Sequence, residues 1–278
     1  MKHETGEFQG ARGVNIFYQC WLPEDDAKAV LLVVHGIGEH SGRYMNLVNH
    51  FTPLGYAVYG LDHIGHGRSD GKRVFVERFG DFTETLKTFF DMVRGWQPGR
   101  PVFLVGHSLG GLIGSVFLLE HQDELAGAVL SAPSIKLSES ISQLTLFSAR
   151  VLSNIAPKLG LTSVDVTAVS SDPAVVQAYL DDPLVYKGKA TVRLAAEGIK
   201  AIERVTRDVA QIRLPLLIVQ GSADHLVEPD GAKMLYEQSA STDKTYKIYD
   251  GFYHEVMNEP GRTQVLGDMQ AWFEARLA

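Results

Sequence analysis

A serine at a predicted tight turn is the first feature of this sequence that could do covalent chemistry. Ser108 is the central residue of Gly106-His-Ser-Leu-Gly110, between an apolar run at 102–105 and a mostly apolar segment at 109–119. This context predicts a buried strand, a tight turn and a helix, the geometry that exposes a nucleophilic serine oxygen. The flanking glycines leave room for the two backbones to pass closely. We predict that Ser108 is a nucleophile and not simply a helix cap.

A second match to the same pattern, Gly67-Arg-Ser-Asp-Gly71, has a different setting. Ser69 follows a loop rich in glycine and histidine, and the basic residues Lys72 and Arg73 come directly after the match. Because no strand precedes it and no apolar helix follows it, Ser69 is predicted to be a loop serine.

A serine hydroxyl is a poor nucleophile without a base, so we looked for a histidine and a carboxylate. In parallel sheets, functional groups gather beyond the carboxyl ends of the strands. Asp224 follows a strand-like run at 214–219, and His254 follows one at 245–249. The order Ser108, Asp224, His254 is that of an α/β-hydrolase triad. We expect His254 to take the serine proton and Asp224 to orient the His254 ring.

Two rival residues lie in the same predicted loops. His225 also follows a late strand, but it is the sequence neighbour of Asp224 and is poorly placed to be oriented by that carboxylate. Asp250 could replace Asp224 as the acid, but it lies in the same loop as His254. The sequence leaves both alternatives open.

Ester or amide cleavage also needs backbone donors for a developing oxyanion. One candidate is the amide after the nucleophile, that of Leu109. The other is expected in the loop after a strand-like run at 29–34, where two glycines flank Ile37. We expect Ile37 to be the second donor, and His35 to brace the loop without taking part in the chemistry.

Strands and helices alternate along the first half of the chain and position these residues. The strand-like runs lie at 29–34, 56–61, 102–105 and 126–131. Their alternation with helical segments predicts a doubly wound, mostly parallel sheet. An aromatic and β-branched hairpin within 5–22 is predicted to form an edge.

The alternation stops after Pro133 and resumes only after about Ile212. The segment between them contains helical stretches punctuated by prolines. We therefore predict an α/β-hydrolase fold whose core domain comprises residues 1–132 and 213–278. Residues 133–212 are predicted to form a helical cap inserted after the sixth sheet strand.

Composition excludes several function classes. The chain of 278 residues has a formal net charge of −7 and no basic block, which disfavours a nucleic-acid partner. Cys20 is the only cysteine, so neither an intrachain disulfide nor a cysteine-based metal site can form. The N-terminal segment lacks the apolar core of a signal peptide, and no run approaches the ~18 apolar residues of a membrane span. We expect a cytoplasmic protein.

Six segments spread over almost the whole chain match one known family. They are His35-Gly-Ile-Gly-Glu-His-Ser-Gly-Arg-Tyr44, Asp62-His-Ile-Gly-His-Gly-Arg-Ser-Asp-Gly71, Gly106-His-Ser-Leu-Gly-Gly111, Tyr179-Leu-Asp-Asp-Pro-Leu184, Gln220-Gly-Ser-Ala-Asp224 and Asp243-Lys-Thr-Tyr-Lys-Ile-Tyr-Asp-Gly-Phe-Tyr-His254. In these segments the chain resembles the monoacylglycerol lipases of the α/β-hydrolase superfamily, within the serine aminopeptidase-like hydrolases. The resemblance implies an esterase that releases a fatty acid and glycerol from a monoacylglycerol without a metal or cofactor.

The resemblance also implies that the cap forms the mouth of an acyl tunnel. Glu39, Arg43, His107 and Tyr179 match positions that line the polar end of the family's site, where glycerol sits. The mammalian members carry a second histidine one turn after the catalytic one, and this chain has Met257 there. The cysteines of their caps are also absent. These departures bear on specificity for the alcohol.

Residues 141–155 are the predicted lid helix. Their apolar side chains recur at helical spacing, at Leu144, Phe147, Val151 and Ile155. This face could open towards a membrane or micelle. The alternative that we favour is a helix packed over the tunnel, where each buried CH₂ of an acyl chain contributes ~0.8 kcal/mol.

Three kinds of function remain compatible with the sequence. The first is a monoacylglycerol lipase. The second is a general carboxylesterase, lysophospholipase, thioesterase or peptidase that uses the same triad. The third is a non-catalytic ligand-binding protein on a hydrolase fold, since the fold alone does not fix the function.

Overall fold

An eight-stranded sheet runs through the computed structural model, which describes residues 1–136 and 151–277. In chain order, the strands are β1 (Lys2–Gln9), β2 (Asn15–Leu22), β3 (Ala29–Val34), β4 (Tyr56–Leu61), β5 (Val102–His107), β6 (Gly127–Ser131), β7 (Gly160–Thr162), β8 (Ala190–Thr191), β9 (Leu216–Gly221) and β10 (Lys244–Tyr249). The sheet order is β1-β2-β4-β3-β5-β6-β9-β10. Strands β7 and β8 lie outside this sheet. Within the eight-stranded sheet, only the β1–β2 and β2–β4 pairs are antiparallel, so the predicted mostly parallel sheet is confirmed.

Helices cover both faces of the sheet. The described residues contain α1 (Met45–Phe51), α2 (Gly80–Trp96), α3 (Leu109–His121), α4 (Pro173–Asp181), α5 (Val192–Asp208), α6 (Pro229–Gln238) and α7 (Arg262–Glu274), of which all but α4 pack on the sheet. Side chains of α2, α3, α5 and α6 share one apolar core with one face of the sheet, and α1 and α7 pack on the other. Every residue of β3, β4, β5, β6 and β9 is buried, which explains their continuous apolar runs.

The ends of two strands differ from the sequence-based expectation. The strand predicted at 214–219 runs from Leu216 to Gly221, because Pro215 has no amide hydrogen to pair. The strand predicted at 102–105 continues to His107, which pairs with Ser131 on β6. The apolar run in the sequence ends before this extension. Gly106 and His107 belong to the strand because their backbones pair with β6, and neither residue has an apolar side chain that would indicate it.

The segment between β6 and β9 is not purely helical. Within the described residues it contains α4, α5 and a helical stretch at 151–155, but also the short antiparallel pair β7–β8. Helix α5 packs on α3, and its Val205 is wholly buried in the main core. The predicted limits of the cap, residues 133–212, stay a prediction.

The predicted lid helix falls largely outside the described residues. Of residues 141–155, the structure describes 151–155, which are helical. The side chain of Ile155 is 77% exposed, and Val151 is also exposed. These two positions therefore present apolar surface in the described part of the cap.

Candidate active site

Ser108 occupies a strained turn between β5 and α3. Its φ of 53° is positive, which residues other than glycine rarely adopt. A Cβ on Gly106 would stand 2.6 Å from the Gly110 carbonyl oxygen, and one on Gly110 would overlap the Val34 carbonyl oxygen, so both positions require glycine. Within the described residues, the Ser108 hydroxyl makes no capping hydrogen bond to α3. Strain without a capping role is typical of a residue with a chemical function.

Asp224 and His254 form a buried pair in the loops after β9 and β10. His254 Nδ1 donates to Asp224 Oδ2 at 2.8 Å. Asp224 Oδ1 accepts from the amides of Leu226 and Val227 at 2.8 and 3.2 Å. Burial alone would raise the pKa of Asp224, but these hydrogen bonds, that of His254 first, lower it. The carboxylate therefore holds the His254 ring with Nδ1 protonated and Nε2 able to accept a proton.

Ser108 and His254 line the same cavity, whose volume is about 370 Å³. In the described part of the chain no hydrogen bond joins the two side chains, and such contacts often tighten only when substrate binds. The volume lies within the range of small-molecule sites. The cavity wall is mixed, with polar groups beside Ser108 and apolar side chains at Ile37, Val164, Val169, Leu226 and Val227.

The two rival residues lie apart from this pair. Asp250 is exposed, and its Oδ1 accepts from Ser222 Oγ at 3.1 Å. His225 is exposed at the edge of the cavity, with its ring edge-on to Tyr253 at 5.8 Å. The structure thus brings His254 together with Asp224 and with neither rival.

Ser69, the serine of the second sequence match, is buried. Its Oγ donates to the Asp62 carbonyl oxygen at 2.6 Å and accepts from the Phe17 amide at 2.9 Å. These bonds join the loop after β4 to β2. Ser69 therefore holds backbone segments together.

The amides predicted to bind an oxyanion flank Ser108. A Cβ on Gly36 would stand 3.2 Å from Ser108 Cβ, so the loop after β3 lies directly against the serine. Ile37 lines the cavity, and Leu109 is the first residue of α3, where the amide has no partner within the helix. Among residues 1–136 and 151–277, no backbone or side-chain group accepts from either amide. Both N–H groups are thus available to a ligand.

Behind the cavity, Arg43 joins two buried carboxylates. Its Nη1 donates to Glu39 Oε2 at 2.7 Å and to Glu255 Oε1 at 2.6 Å, and its Nη2 donates to Glu255 Oε2 at 2.8 Å. Glu39 Oε1 accepts from the Gly36 amide at 2.6 Å. The Tyr179 ring lies 4.4 Å from the guanidinium carbon. These four side chains, Glu39, Arg43, Tyr179 and Glu255, are called the arginine cluster below.

Charges within the arginine cluster stabilise one another. Burial by itself would lower the pKa of Arg43, but Glu255 and Glu39 raise it above its ordinary value. Burial would raise the pKa of Glu255, and Arg43 lowers it instead. Burial raises the pKa of Tyr44, and its hydrogen bond to Glu39 at 2.9 Å raises it further. At neutral pH Arg43 is therefore a cation, Glu255 an anion and Tyr44 a neutral donor.

The four predicted substrate-binding residues are not equivalent. Glu39, His107 and Tyr179 line the cavity beside Ser108, whereas Arg43 lies behind Glu39. Arg43 instead lines a small adjoining cavity together with Met257. Substrate binding by these residues stays a prediction.

His107, next to the serine, is a neutral buried ring. Its Nδ1 lies 3.2 Å from the Ser131 carbonyl oxygen, and its ring centroid lies 4.7 Å from that of His254. Burial, with the charge of His254 acting in the same direction, lowers the pKa of His107 to about 4. His107 is therefore a weak base that stays neutral at neutral pH.

Sequence reasoning missed two residues of the site. Glu255 forms the bidentate ion pair with Arg43, and Gln220 Nε2 donates to Asp224 Oδ2 at 2.8 Å. A carboxylate directly after the predicted catalytic histidine was a visible signal for Glu255. Gln220, the last residue before the glycine that ends β9, gave no comparable signal.

Cap backbone is hydrogen-bonded to both active-site loops. The Tyr186 amide donates to the Gly38 carbonyl oxygen at 2.7 Å, and His40 Nε2 lies 2.9 Å from Asp182 Oδ2. On the other side, the Glu255 amide donates to the Val169 carbonyl oxygen at 2.8 Å. Val169, Asp182 and Tyr186 therefore join this part of the chain to the loops that carry Ile37 and His254.

Two searches of the described residues gave negative results. Among residues 1–136 and 151–277, no group of three or more histidine, cysteine, aspartate or glutamate side chains is arranged to hold a metal ion. In the same part of the chain, every helix is too short or too polar to cross a bilayer.

Comparisons place the chain among known proteins. The family described as serine aminopeptidase, S33, matches residues 25–261. The chain is 37% identical over 270 residues to a monoacylglycerol lipase of Mycolicibacterium smegmatis, covering 97% of this chain and 96% of that protein. It is 36% identical over 271 residues to the monoglyceride lipase of Homo sapiens, covering 96% of this chain and 89% of that protein.

The fold is similar to that of a solved structure. The match to the crystal structure of Paleococcus ferrophilus monoacylglycerol lipase covers 99% of this chain and 100% of that chain, with a TM-score of 0.82 and 29% sequence identity. The predicted α/β-hydrolase fold is confirmed.

Proposed function

The chain belongs to the serine aminopeptidase S33 family of hydrolases, and from that premise we propose that it hydrolyses monoacylglycerols to a fatty acid and glycerol. Its similarity to monoacylglycerol lipases over nearly its full length supports this substrate. The observation that carries the proposal is one cavity lined by Ser108 and His254, with His254 Nδ1 bound to Asp224 at 2.8 Å.

In the first proposed step, His254 Nε2 takes the proton of Ser108 Oγ as that oxygen attacks the ester carbonyl carbon. Asp224 keeps the proton on Nδ1 and stabilises the imidazolium that forms. The amides of Ile37 and Leu109 stabilise the negative oxygen of the tetrahedral intermediate. When the intermediate collapses, His254 gives its proton to the glycerol oxygen and the acyl group remains on Ser108.

In the second proposed step, a water molecule attacks the acyl carbonyl carbon while His254 takes one of its protons. The resulting intermediate breaks its bond to Ser108 Oγ, which regains the proton from His254. A fatty acid is released and the free enzyme is restored. The cycle uses protein groups and water alone, so the proposal includes no cofactor.

The proposed substrate lies with its glycerol towards Glu39, His107 and Tyr179. Arg43 acts from behind by holding the Glu39 carboxylate. The acyl chain follows the apolar part of the wall, where each CH₂ removed from water contributes ~0.8 kcal/mol. Apolar side chains here would set affinity for chain length, and the triad would break the bond.

We propose that the cap, residues 133–212 against a core of residues 1–132 and 213–278, makes transient contact with a membrane or micelle. Ile155, Leu159 and Leu161 expose apolar surface on the cap, with Lys158 between them. Apolar side chains accompanied by lysine suit the boundary between headgroups and acyl chains.

A cytoplasmic location is proposed from cysteine chemistry. The chain has one cysteine, and burial raises the pKa of Cys20 to about 11, so this residue stays a thiol. Sequences without cysteine pairs are ordinary in reducing compartments.

The test is hydrolysis of 1-monolauroylglycerol by the unaltered protein and by Ser108→Ala, with dilauroylglycerol and p-nitrophenyl butyrate alongside. Ser69→Ala is the matched control, because Ser69 has the same sequence pattern but its Oγ is bonded to the backbone of Phe17 and Asp62. We expect rapid release from the monoglyceride, little from the diglyceride, and loss of turnover by at least about 10³-fold in Ser108→Ala alone.

Three outcomes would contradict the proposal. Fast butyrate cleavage with poor monoglyceride turnover would indicate a general carboxylesterase. Turnover that survives Ser108→Ala would reject Ser108 as the nucleophile. No turnover of any ester would reject ester hydrolysis and leave the peptidase and ligand-binding alternatives.

A further inference from the structure

Two consecutive peptide units after β3 are held by hydrogen bonds at three of their four polar ends. In the first unit, the His35 carbonyl oxygen lies 3.2 Å from His63 Nε2, and the Gly36 amide donates to Glu39 Oε1 at 2.6 Å. In the second unit, the Gly36 carbonyl oxygen lies 2.8 Å from His35 Nδ1. The remaining end is the Ile37 amide, which no protein group accepts within the described residues.

Fixing one end of a peptide unit fixes the other, because the unit is planar and its C=O and N–H point in opposite directions. The His35 ring holds the Gly36 oxygen, so the Ile37 N–H must point away from that ring. Gly36 lies against Ser108, and Ile37 lines the cavity. We propose that His35 is a positioning residue: its Nδ1–H orients the Gly36–Ile37 peptide so that the Ile37 N–H faces an oxyanion formed at Ser108. This inference rests on the proposed ester hydrolysis.

The inference requires one tautomer of His35. The Gly36 carbonyl oxygen can only accept, so His35 Nδ1 must carry a proton. The His63 amide, 2.9 Å from His35 Nε2, can only donate, so Nε2 must be unprotonated. Burial first, and then the nearby His63 and His66 rings, lower the pKa of His35 well below its ordinary value. The ring therefore stays neutral and keeps both bonds at neutral pH.

The test compares His35→Leu, which removes both ring bonds, with His35→Asn, whose side-chain amide can still donate to the Gly36 oxygen. His66→Leu is the matched control, because His66 is a buried histidine of the same cluster whose Nδ1 bonds to the Ile64 carbonyl oxygen. Each variant is assayed on p-nitrophenyl butyrate for kcat and KM, and for inhibition by a long-chain alkyl trifluoromethyl ketone. The adduct of that ketone with the serine carries an oxyanion.

We expect His35→Leu to lower kcat about 10- to 100-fold with KM changed by less than about threefold, since a misdirected donor costs somewhat less than a lost one. The ketone inhibition constant should rise by the same factor. His35→Asn should recover most of the loss, and His66→Leu should lower the melting temperature without this effect. Equal kcat and ketone affinity in His35→Leu and His66→Leu would overturn the inference, as would an Asn variant as impaired as the Leu variant.

Failure of the proposed function would give results that differ from failure of the His35 inference. Poor monoglyceride turnover by the unaltered protein would reject that substrate but leave the variant comparison on the butyrate ester. If the unaltered protein cleaved neither ester, ¹⁵N NMR of the histidine rings would decide. A His35 signal, identified by its loss in His35→Asn, should report protonation at Nδ1, and protonation at Nε2 would refute the proposed orientation.

Discussion

At the scale of single residues, the Asp224 carboxylate determines which nitrogen of His254 carries a proton. Asp224→Asn places an amide beside Nδ1, which favours the wrong tautomer, so we expect kcat to fall by about 10⁴-fold. Steady-state kinetics on 1-monolauroylglycerol measure this. Asp250→Asn is the matched control, because Asp250 is exposed and its carboxylate accepts from Ser222 Oγ and not from His254. Equal losses in the two variants would assign the acid role to neither position.

Arg43 also acts through the groups it joins. Arg43→Met leaves Glu39 and Glu255 buried without their cation, so we expect the free energy of unfolding to fall by about 3–5 kcal/mol. Urea unfolding monitored by circular dichroism measures it. Arg94→Met removes the exposed ion pair with Glu124 and should cost less than about 1 kcal/mol. If Arg43→Met lowered the free energy of unfolding no more than Arg94→Met, this result would show that water reaches Glu39 and Glu255 in the variant and would contradict the prediction.

The sequence was most informative at this scale where a residue type has few alternative uses. A serine between glycines after an apolar strand, and a histidine and an aspartate after later strands, indicated three residues that the structure brings towards one cavity. Arg43 and Glu255 are 212 positions apart, and their bidentate contact depends on how two loops meet in space. No spacing rule along the chain predicts such a contact.

At the scale of elements, the loops after β3 and β4 bury three histidines, His35, His63 and His66, whose rings pack at an angle to one another and must stay neutral. Burial lowers the pKa of His63 to about 3 and that of His66 to about 4, against an ordinary 6.5. The unfolded chain therefore binds more protons than the folded one below pH 6.5. In that range the free energy of unfolding decreases as the pH is lowered. We expect His63 and His66 each to cost about 2 kcal/mol of unfolding free energy between pH 7 and pH 5.

Urea unfolding at pH 7, 6 and 5 measures this dependence. In His66→Leu the loss between pH 7 and pH 5 should be smaller by about 2 kcal/mol, whatever the stability of the variant at pH 7. The same pH dependence in the variant, or a protein that gains stability on acidification, would contradict the assignment of neutral buried rings.

Elements were predictable where burial on both faces gives continuous apolar runs. The five fully buried strands follow that rule, and all were found in the sequence. The pair β7–β8 was not predicted, because β8 has two residues, too few to show an alternation of apolar and polar side chains. Helix α5 was assigned to the cap by its position in the chain. An amphipathic pattern predicts that a helix has an apolar face but not which element that face packs against. In the structure α5 packs against α3.

At the scale of the whole molecule, the distribution of exposed apolar side chains bears on access to aggregated lipid. We expect Ile155→Asp to lower turnover of micellar 1-monolauroylglycerol about fivefold or more, with p-nitrophenyl butyrate changed less than twofold, because a carboxylate opposes insertion into an apolar surface. Ile248→Asp is the matched control, since Ile248 is 57% exposed on β10, an edge strand of the core sheet, and does not belong to the cap. Parallel losses on both esters, or equal effects of the two variants, would argue against contact through the cap.

The bonds between the cap and the two active-site loops have a consequence for how such proteins can diversify. Substrate range in a capped hydrolase could in principle change by replacing the cap alone. Here Tyr186 and Asp182 reach the loop that carries Ile37, and Val169 reaches the residue after His254. A cap transplanted from another hydrolase would therefore alter rate constants as well as specificity unless it brought matching contacts for Gly38 and His40. We therefore expect a cap exchange to be tolerated best when the loops that carry Gly38 and His254 are exchanged with it.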